Sequence, residues 1–220
     1  MKKNTNKSLA NRLEKCYSGA VYDVLRAMGF PNQTLSKEIR PLEITSKLAG
    51  KIYTVIGKYD NTLESHDTLL QWTSMLSKAP ENSVVICQPN DHTLAHMGEL
   101  SAETMQLRKI RGYIVDGGCR DSAFISKIGF KVFCKYYTPV DVVGRWTPES
   151  FADPIEIDGV SISTGDYVIA DRDGTVIIPG NLADEVTLKT EKVLKTENLV
   201  RTAILNGTDP QNAYLKYEKF

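Results

Sequence analysis

The stretch "YIVDGGCRDSAFISKIGF", residues 113–130, decides how the chain is read. Its first residues suit a buried strand, Gly117 and Gly118 permit a sharp turn, and "RDSAFISKI" reads as a helix closed by Gly129. "KVFCKYY" then reads as another strand. A strand, helix, strand order at this spacing argues for parallel neighbours, since a parallel pair needs a crossover where an antiparallel pair needs only a hairpin. The turn carries more charge than turning requires, because Asp116, Arg120 and Asp121 crowd around two glycines.

The same cycle stands upstream. "LAGKIYTVIGKYD" has the β-branched and aromatic content of a strand, "SHDTLLQWTSMLSK" has apolar residues at helical spacing, and "VVICQ" is a short apolar run. "DHTLAHMGELSAETMQLRKI" follows as a loop and a helix. Before them, "LANRLEKC" and "SGAVYDVLRAMGF" read as two short helices, the second with Ser18 as N-cap and Gly29 as its stop. After Pro139 the pattern changes. "PIEIDGVSISTGDYVIADRDGTVIIPG" places tight turns at Asp158-Gly159, Gly165-Asp166 and Asp173-Gly174, an antiparallel segment. A long amphipathic helix is expected over about residues 181–206, with Val186, Leu188, Val193, Leu194, Leu199 and Val200 on or near one face. These elements predict a single α/β domain over residues 1–220, a mixed central sheet flanked by helices.

Composition narrows the function. Lys plus Arg and Asp plus Glu both number 27, so no basic field recommends nucleic acid as a partner. The basic start "MKKNTNK" has no apolar run behind it, and nowhere do 18 apolar residues stand together, so a cytoplasmic protein without a membrane partner is expected. Cys16, Cys87, Cys119 and Cys134 lack C-x-x-C spacing and read as reduced, mostly buried thiols. No glycine-rich nucleotide loop follows the first strand.

In open α/β sheets, ligands bind at the carboxyl ends of strands, which is where the 113–130 motif falls. A helix start and the Arg120 guanidinium suit a carboxylate or phosphate. Asp121 beside them would repel such an anion unless a cation lies between. One carboxylate, several waters and substrate oxygens are how Mg²⁺ is commonly held, so Asp121 is the candidate metal ligand, for Mg²⁺ first and Mn²⁺ as the alternative.

The run "GELSAETMQLRKIRGYIVDGGCRD" resembles the core of the regulator-of-ribonuclease-activity-A-like (RraA-like) family, which includes 4-hydroxy-4-methyl-2-oxoglutarate and 4-carboxy-4-hydroxy-2-oxoadipate aldolases. "LAGKIYTVIG" and "DGVSISTGDYVIADRDGTVIIP" fall in the family's order, and the likeness covers about residues 18–207. Its pattern of an acid, twenty residues, then Arg-Asp is met by Glu99, Arg120 and Asp121. The resemblance implies a swivelling β/β/α-type fold and a class II pyruvate aldolase that cleaves a 4-hydroxy-2-oxo acid to pyruvate and a carbonyl product, with oxaloacetate decarboxylation as a second activity. It assigns Arg120 to the pyruvoyl oxygens, Asp121 to the metal, and the Gly98, Glu99 and Leu100 backbone to the substrate carboxylate. Glu99 stands where many relatives have Asp. A catalytic carboxylate from a neighbouring subunit is also implied, Glu197 or else Glu191, in a homotrimer or homohexamer. The alternative within the same family is a non-catalytic protein-binding regulator of a ribonuclease.

Plainer roles compete at other positions. Asp116 suits a cap for the turn after its strand, and Asp171 and Asp173 suit a turn between strands. His92 and His96 lack a third ligand and read as hydrogen-bonding or surface groups. Asp23 is a candidate brace for the site, and Arg145 a candidate for a second substrate carboxylate.

Overall fold

The computed structural model describes residues 8–219; the basic start at 1–7 and the final Phe220 lie outside the described residues. The strands are β1 (Arg40–Pro41), β2 (Leu48–Tyr59), β3 (Ser83–Gln88), β4 (Gly112–Val115), β5 (Gly118–Cys119), β6 (Val132–Cys134), β7 (Tyr136–Tyr137), β8 (Trp146–Phe151), β9 (Ile155–Ile157), β10 (Val160–Ile162), β11 (Tyr167–Ala170) and β12 (Thr175–Ile178). The helices are α1 (Leu9–Leu13), α2 (Ser18–Ala27), α3 (Ser65–Lys78), α4 (Glu99–Leu107), α5 (Ser122–Ile128), α6 (Ala183–Leu205) and α7 (Pro210–Tyr217).

β2 is the spine. It pairs in parallel with β3, and β3, β4 and β6 continue the parallel ladder. Along its other edge β2 pairs antiparallel with β11 through Leu48 to Lys51, and with β8 through Val55 to Tyr59. The eight-stranded sheet is therefore mixed, ordered β1-β6-β4-β3-β2-β11-β12 with β8 on β2. Alternation along each strand sends side chains to two faces. Tyr113 and Val115 of β4 pack with Trp72, Met75, Met105 and Ile125 under α3, α4 and α5. Ile114 faces the opposite way, where Ile155, Ile157, Val160 and Ile162 of the β9–β10 hairpin cover the sheet. Hairpin, sheet and helices make the expected β/β/α layering. A third apolar cluster seats α1, α2 and α6 on Ala49, Ile169, Val176 and Ile178.

Several local expectations are corrected. Ser18 does not cap α2: Tyr17 occupies that position, and the Ser18 amide and hydroxyl both donate to Asp171, at 2.8 and 2.6 Å, tying α2 to the β11–β12 turn. "KVFCKYY" is two strands, because the chain leaves the main sheet at Lys135 and β7 pairs with β5. The antiparallel segment at 154–180 is split between two sheets; β9 and β10 make a hairpin of their own while β11 and β12 join the main sheet. β8 and α7 had no clear sequence signal. On α6, Val186 and Val200 are buried, whereas Leu188 and Leu199 stand exposed.

β8 is held by one close approach. The Trp146 indole lies over Gly57, where an added Cβ would fall 1.8 Å from its ring, and its Nε1–H donates to the Pro89 carbonyl at 2.7 Å. Trp146 also lies edge-to-face with Trp72 at 5.8 Å. Gly57→Ala is expected to lower unfolding free energy by about 3 kcal/mol, the upper range for overpacking a close-packed core. Guanidinium unfolding of the variant measures it, and an unchanged midpoint would mean that the ring can move aside freely.

Candidate active site

Parallel pairing of β3, β4 and β6 brings the loops after these strands to one edge of the sheet. Residues 95–97, from the loop after β3, run between the other two loops. Ala95 N–H donates to Val140 O at 2.8 Å, His96 N–H to Gly118 O at 2.8 Å, and Arg120 N–H returns to Met97 O at 2.9 Å. These bonds register "HMGEL" against "GGCRD", bringing Gly98 and Glu99 beside Arg120 and Asp121.

Asp121 adopts the left-handed region at φ 53°, ψ 31°, which an Asp tolerates better than most side chains. Its Oδ2 accepts the Glu99 amide at 3.0 Å and lies 3.4 Å from Arg120 Nε. Gly98 allows this approach, since a Cβ there would sit 2.8 Å from Asp121 Oδ2 and 3.1 Å from Arg120 Nε. The Arg120 Nη1 donates to Asp141 Oδ2 at 3.4 Å, and Asp141 Oδ1 accepts from Arg145 Nη2 at 3.0 Å and from the Val143 amide at 3.2 Å. Asp141 carried no sequence signal, because an acid in "TPVDVVGRW" points nowhere until the loop folds back onto Arg120.

These groups line a cleft of about 520 Å³ together with Leu69, Trp72, Leu76, Met97, Leu100 and Val143. Gly98, Glu99, Leu100, Arg120 and Asp121 are thus gathered within one chain. Glu197 and Glu191 are not. Glu197 accepts the Tyr17 hydroxyl at 2.5 Å in a separate cavity with Asp23, and burial together with this carboxylate pushes the Tyr17 phenol up to about 12. Glu191 holds Arg12 in two hydrogen bonds of 2.9 and 2.8 Å, which keep its carboxyl below the usual range. Asp23 does not reach the cleft and pairs with Arg26 at 3.0 Å.

The donor set bears on a metal. Among the described residues no group of three His, Cys, Asp or Glu side chains converges, so a site closed by protein ligands is absent there. The half-exposed Asp121 carboxylate uses Oδ2 for its contacts with Glu99 and Arg120, and neither of these contacts uses Oδ1. An Asp121 oxygen free of these contacts, beside open space and without two further converging ligands, fits a hydrated Mg²⁺ or Mn²⁺ better than Zn²⁺.

Asp116 does not cap its turn: it pairs with Lys135 at 2.5 Å. Asp171 serves its turn as expected, accepting the Asp173 amide at 3.0 Å. All four cysteines are buried and free. His92 is exposed, whereas His96 is fully buried, 5.0 Å from the Trp146 ring and with Nε2 3.3 Å from Asp91 Oδ2. Although burial works against it, the amides of Thr93 and Leu94 and the Thr93 hydroxyl hold the Asp91 carboxyl below its usual value.

With this geometry established, comparison with known proteins places it. The RraA-like model (Aldolase/RraA) matches residues 18–177. The chain belongs to the RraA-like family. It is 28% identical over 97% of its length to protein DlpA of Legionella pneumophila, of which it spans only 34%. It is 27% identical to a Halalkalibacterium halodurans protein named "Putative 4-hydroxy-4-methyl-2-oxoglutarate aldolase", with 83% of each chain covered. The crystal structure of Streptomyces coelicolor RraAS2, described as an unusual member of the RNase ES inhibitor RraA family, superposes with a TM-score of 0.80 at 22% identity, covering 90% of this chain and 98% of that one, which shows a common RraA-like fold. No helix among the described residues is long and apolar enough to cross a membrane.

The buried imidazole gives a prediction. Burial pushes His96 down to about 4 against the opposing pull of Asp91, so the unfolded chain binds the additional proton between about pH 6.5 and 4. Stability is therefore fully present above that window and is lost as pH falls through it, by about 2 kcal/mol between pH 7 and pH 5. Denaturation midpoints at the two pH values should diverge less in His96→Gln; equal divergence would show that His96 does not carry the effect.

Proposed function

We propose that this RraA-like protein is a divalent-metal-dependent class II pyruvate aldolase, cleaving a 4-hydroxy-2-oxo acid to pyruvate and a carbonyl product. The observation that carries the reading is the Arg120–Asp121 pair at the carboxyl edge of the parallel strands, with the Asp121 carboxylate set against the Glu99 amide. The name of the Halalkalibacterium relative supports it.

Arg120 presents a planar guanidinium to the carboxylate and oxo oxygens of the pyruvoyl end and orients them in the cleft. Cleavage breaks the bond between C3 and C4. Its electron pair becomes the enolate of pyruvate, and the 4-hydroxyl proton must leave to a base. We assign that base to Glu99, which opens α4 and lines the cleft, or to the carboxylate supplied by a neighbouring subunit. Positive charge from Arg120 stabilises the developing oxyanion. Asp121 would hold the divalent ion, which when bound supplies Lewis-acid stabilisation of the same charge. The enolate also arises when oxaloacetate loses carbon dioxide, so decarboxylation is the expected second activity.

Asp121→Asn is the appropriate test because Asn tolerates the left-handed backbone and can still accept the Glu99 amide, whereas Ala would lose both. Pyruvate release from a panel of 4-hydroxy-2-oxo acids with Mg²⁺ or Mn²⁺ is expected to fall at least a hundredfold in this variant and in excess chelator. Its unfolding midpoint should change little. Full activity in either case would rule out the class II assignment, and no release by the native protein would favour the protein-binding reading.

A homotrimer or homohexamer in which a carboxylate enters the neighbouring cleft is part of this proposal, with Glu197 the first choice and Glu191 the second. Mixed oligomers of Asp121→Asn and Glu197→Ala chains would then regain activity at interfaces that contain both native residues. Verified mixed oligomers without any recovery would place Glu197 outside the reaction.

A further inference from the structure

We infer that Asp141 and Arg145 are positioning residues of the site, acting through Arg120 by fixing the plane of its guanidinium before a ligand arrives. The inference rests on the aldolase reading for what Arg120 meets there, and it adds how that arginine is held.

The loop that carries both residues is fixed on either side of Asp141. Ala95 N–H donates to Val140 O at 2.8 Å, and Asp60 N–H donates to Arg145 O at 2.8 Å. Between them the Gly144 amide donates to the hydroxyl of the buried Thr68, on α3, at 3.1 Å. Asp141 therefore stands on a backbone tied to three other parts of the chain. Its Oδ1 accepts from the Val143 amide at 3.2 Å and from Arg145 Nη2 at 3.0 Å, which leaves Oδ2 to face Arg120 Nη1 at 3.4 Å. Arg145, the candidate for a second substrate carboxylate, thus commits Nη2 to Asp141. All of these bonds lie within one chain, so they do not wait on a carboxylate from a neighbouring subunit.

Arg120 is gripped at two nitrogens. Nε lies 3.4 Å from Asp121 Oδ2, and Nη1 lies 3.4 Å from Asp141 Oδ2. Because a guanidinium is planar, contacts at Nε and Nη1 define its orientation, and Nη2 takes part in neither. Each contact is long and half-exposed, so each contributes little to stability by itself. Its effect is geometric, since a side chain with several rotatable bonds is delivered in one orientation. Removing Asp141 has two opposing consequences. Losing a carboxylate strengthens the pull of the site on a substrate anion, which acts already in the ground state. Losing the grip lets the guanidinium turn, and this is felt where it must meet the charge that develops on the oxo oxygen. Binding is thus preserved while turnover falls, a split that a general loosening of the fold does not produce.

Arginine-selective nuclear magnetic resonance of the full chain reads the grip directly, with the Arg120 signal identified by its loss in Arg120→Lys. Two variants are compared with the native protein: Asp141→Ala, and Arg145→Gln, which removes the support but keeps the Asp141 charge. Rotation about the Arg120 Nε–Cζ bond is expected to be at least tenfold faster in both. Native-like rotation in either variant would overturn that residue's part. With a 4-hydroxy-2-oxo acid and Mg²⁺, kcat should fall at least tenfold in both variants, and in Asp141→Ala KM should stay level or drop. Unchanged kcat would overturn the inference, and so would kcat and KM worsening together with a lower unfolding midpoint, the mark of a merely structural role. Pyruvate release by the native protein tests the aldolase reading separately. Slow Arg120 rotation that the variants release, without any pyruvate formed, sinks that reading alone; pyruvate release alongside a freely rotating native Arg120 sinks this inference alone.

Discussion

The hydrogen bond from the Glu99 amide to Asp121 joins two loops that are far apart along the chain, and the candidate site depends on it. It can form because Gly98 leaves no Cβ between the loops and because Asp121 takes a left-handed backbone beside α4. Neither condition would matter without parallel pairing of β3 and β4, which puts both loops at one sheet edge. Ligand-facing groups in such sheets are set by topology before any side chain is chosen.

Rigid support lies directly behind this junction. Residues 95–97 carry backbone hydrogen bonds to the loops after β4 and β6, and His96 fills the space beneath them against Trp146. Trp146 in turn packs on Gly57, so the spine strand β2 and the floor of the site share one aromatic anchor. A buried neutral imidazole is costly to protonate, which couples the order of this region to pH without giving His96 a part in chemistry. At the cleft itself charge is arranged differently. Arg120 stands between two carboxylates rather than free, so it is oriented before a ligand arrives and has limited capacity for further anions.

Much of this was legible in the amino-acid sequence because local chemistry and periodicity act over a few residues. Continuous apolar runs in β3 and β4, the helical spacing of α3, Gly129 after α5 and the Asp158-Gly159 hairpin turn all follow from short-range rules. So did the candidate pair, since Arg120 and Asp121 are adjacent in a glycine turn after a strand, and Glu99 opens a helix after Gly98.

What only the tertiary structure decided involves partners distant in sequence. Ser18 looks like a helix cap until Asp171, 153 residues away, claims both its amide and its hydroxyl. Asp116 looks like a turn residue until Lys135 reaches it, and Asp141 looks like an ordinary loop acid until it meets Arg120 and Arg145. The strand β8 is anchored by its own Trp146, but only because Gly57 and Pro89, distant in sequence, receive the indole. Sequence thus determined which elements form and which residues can do chemistry, because propensity and spacing are local. Folding determined which charges are already neutralised by one another, because Coulomb and hydrogen-bond partners are chosen by distance in space.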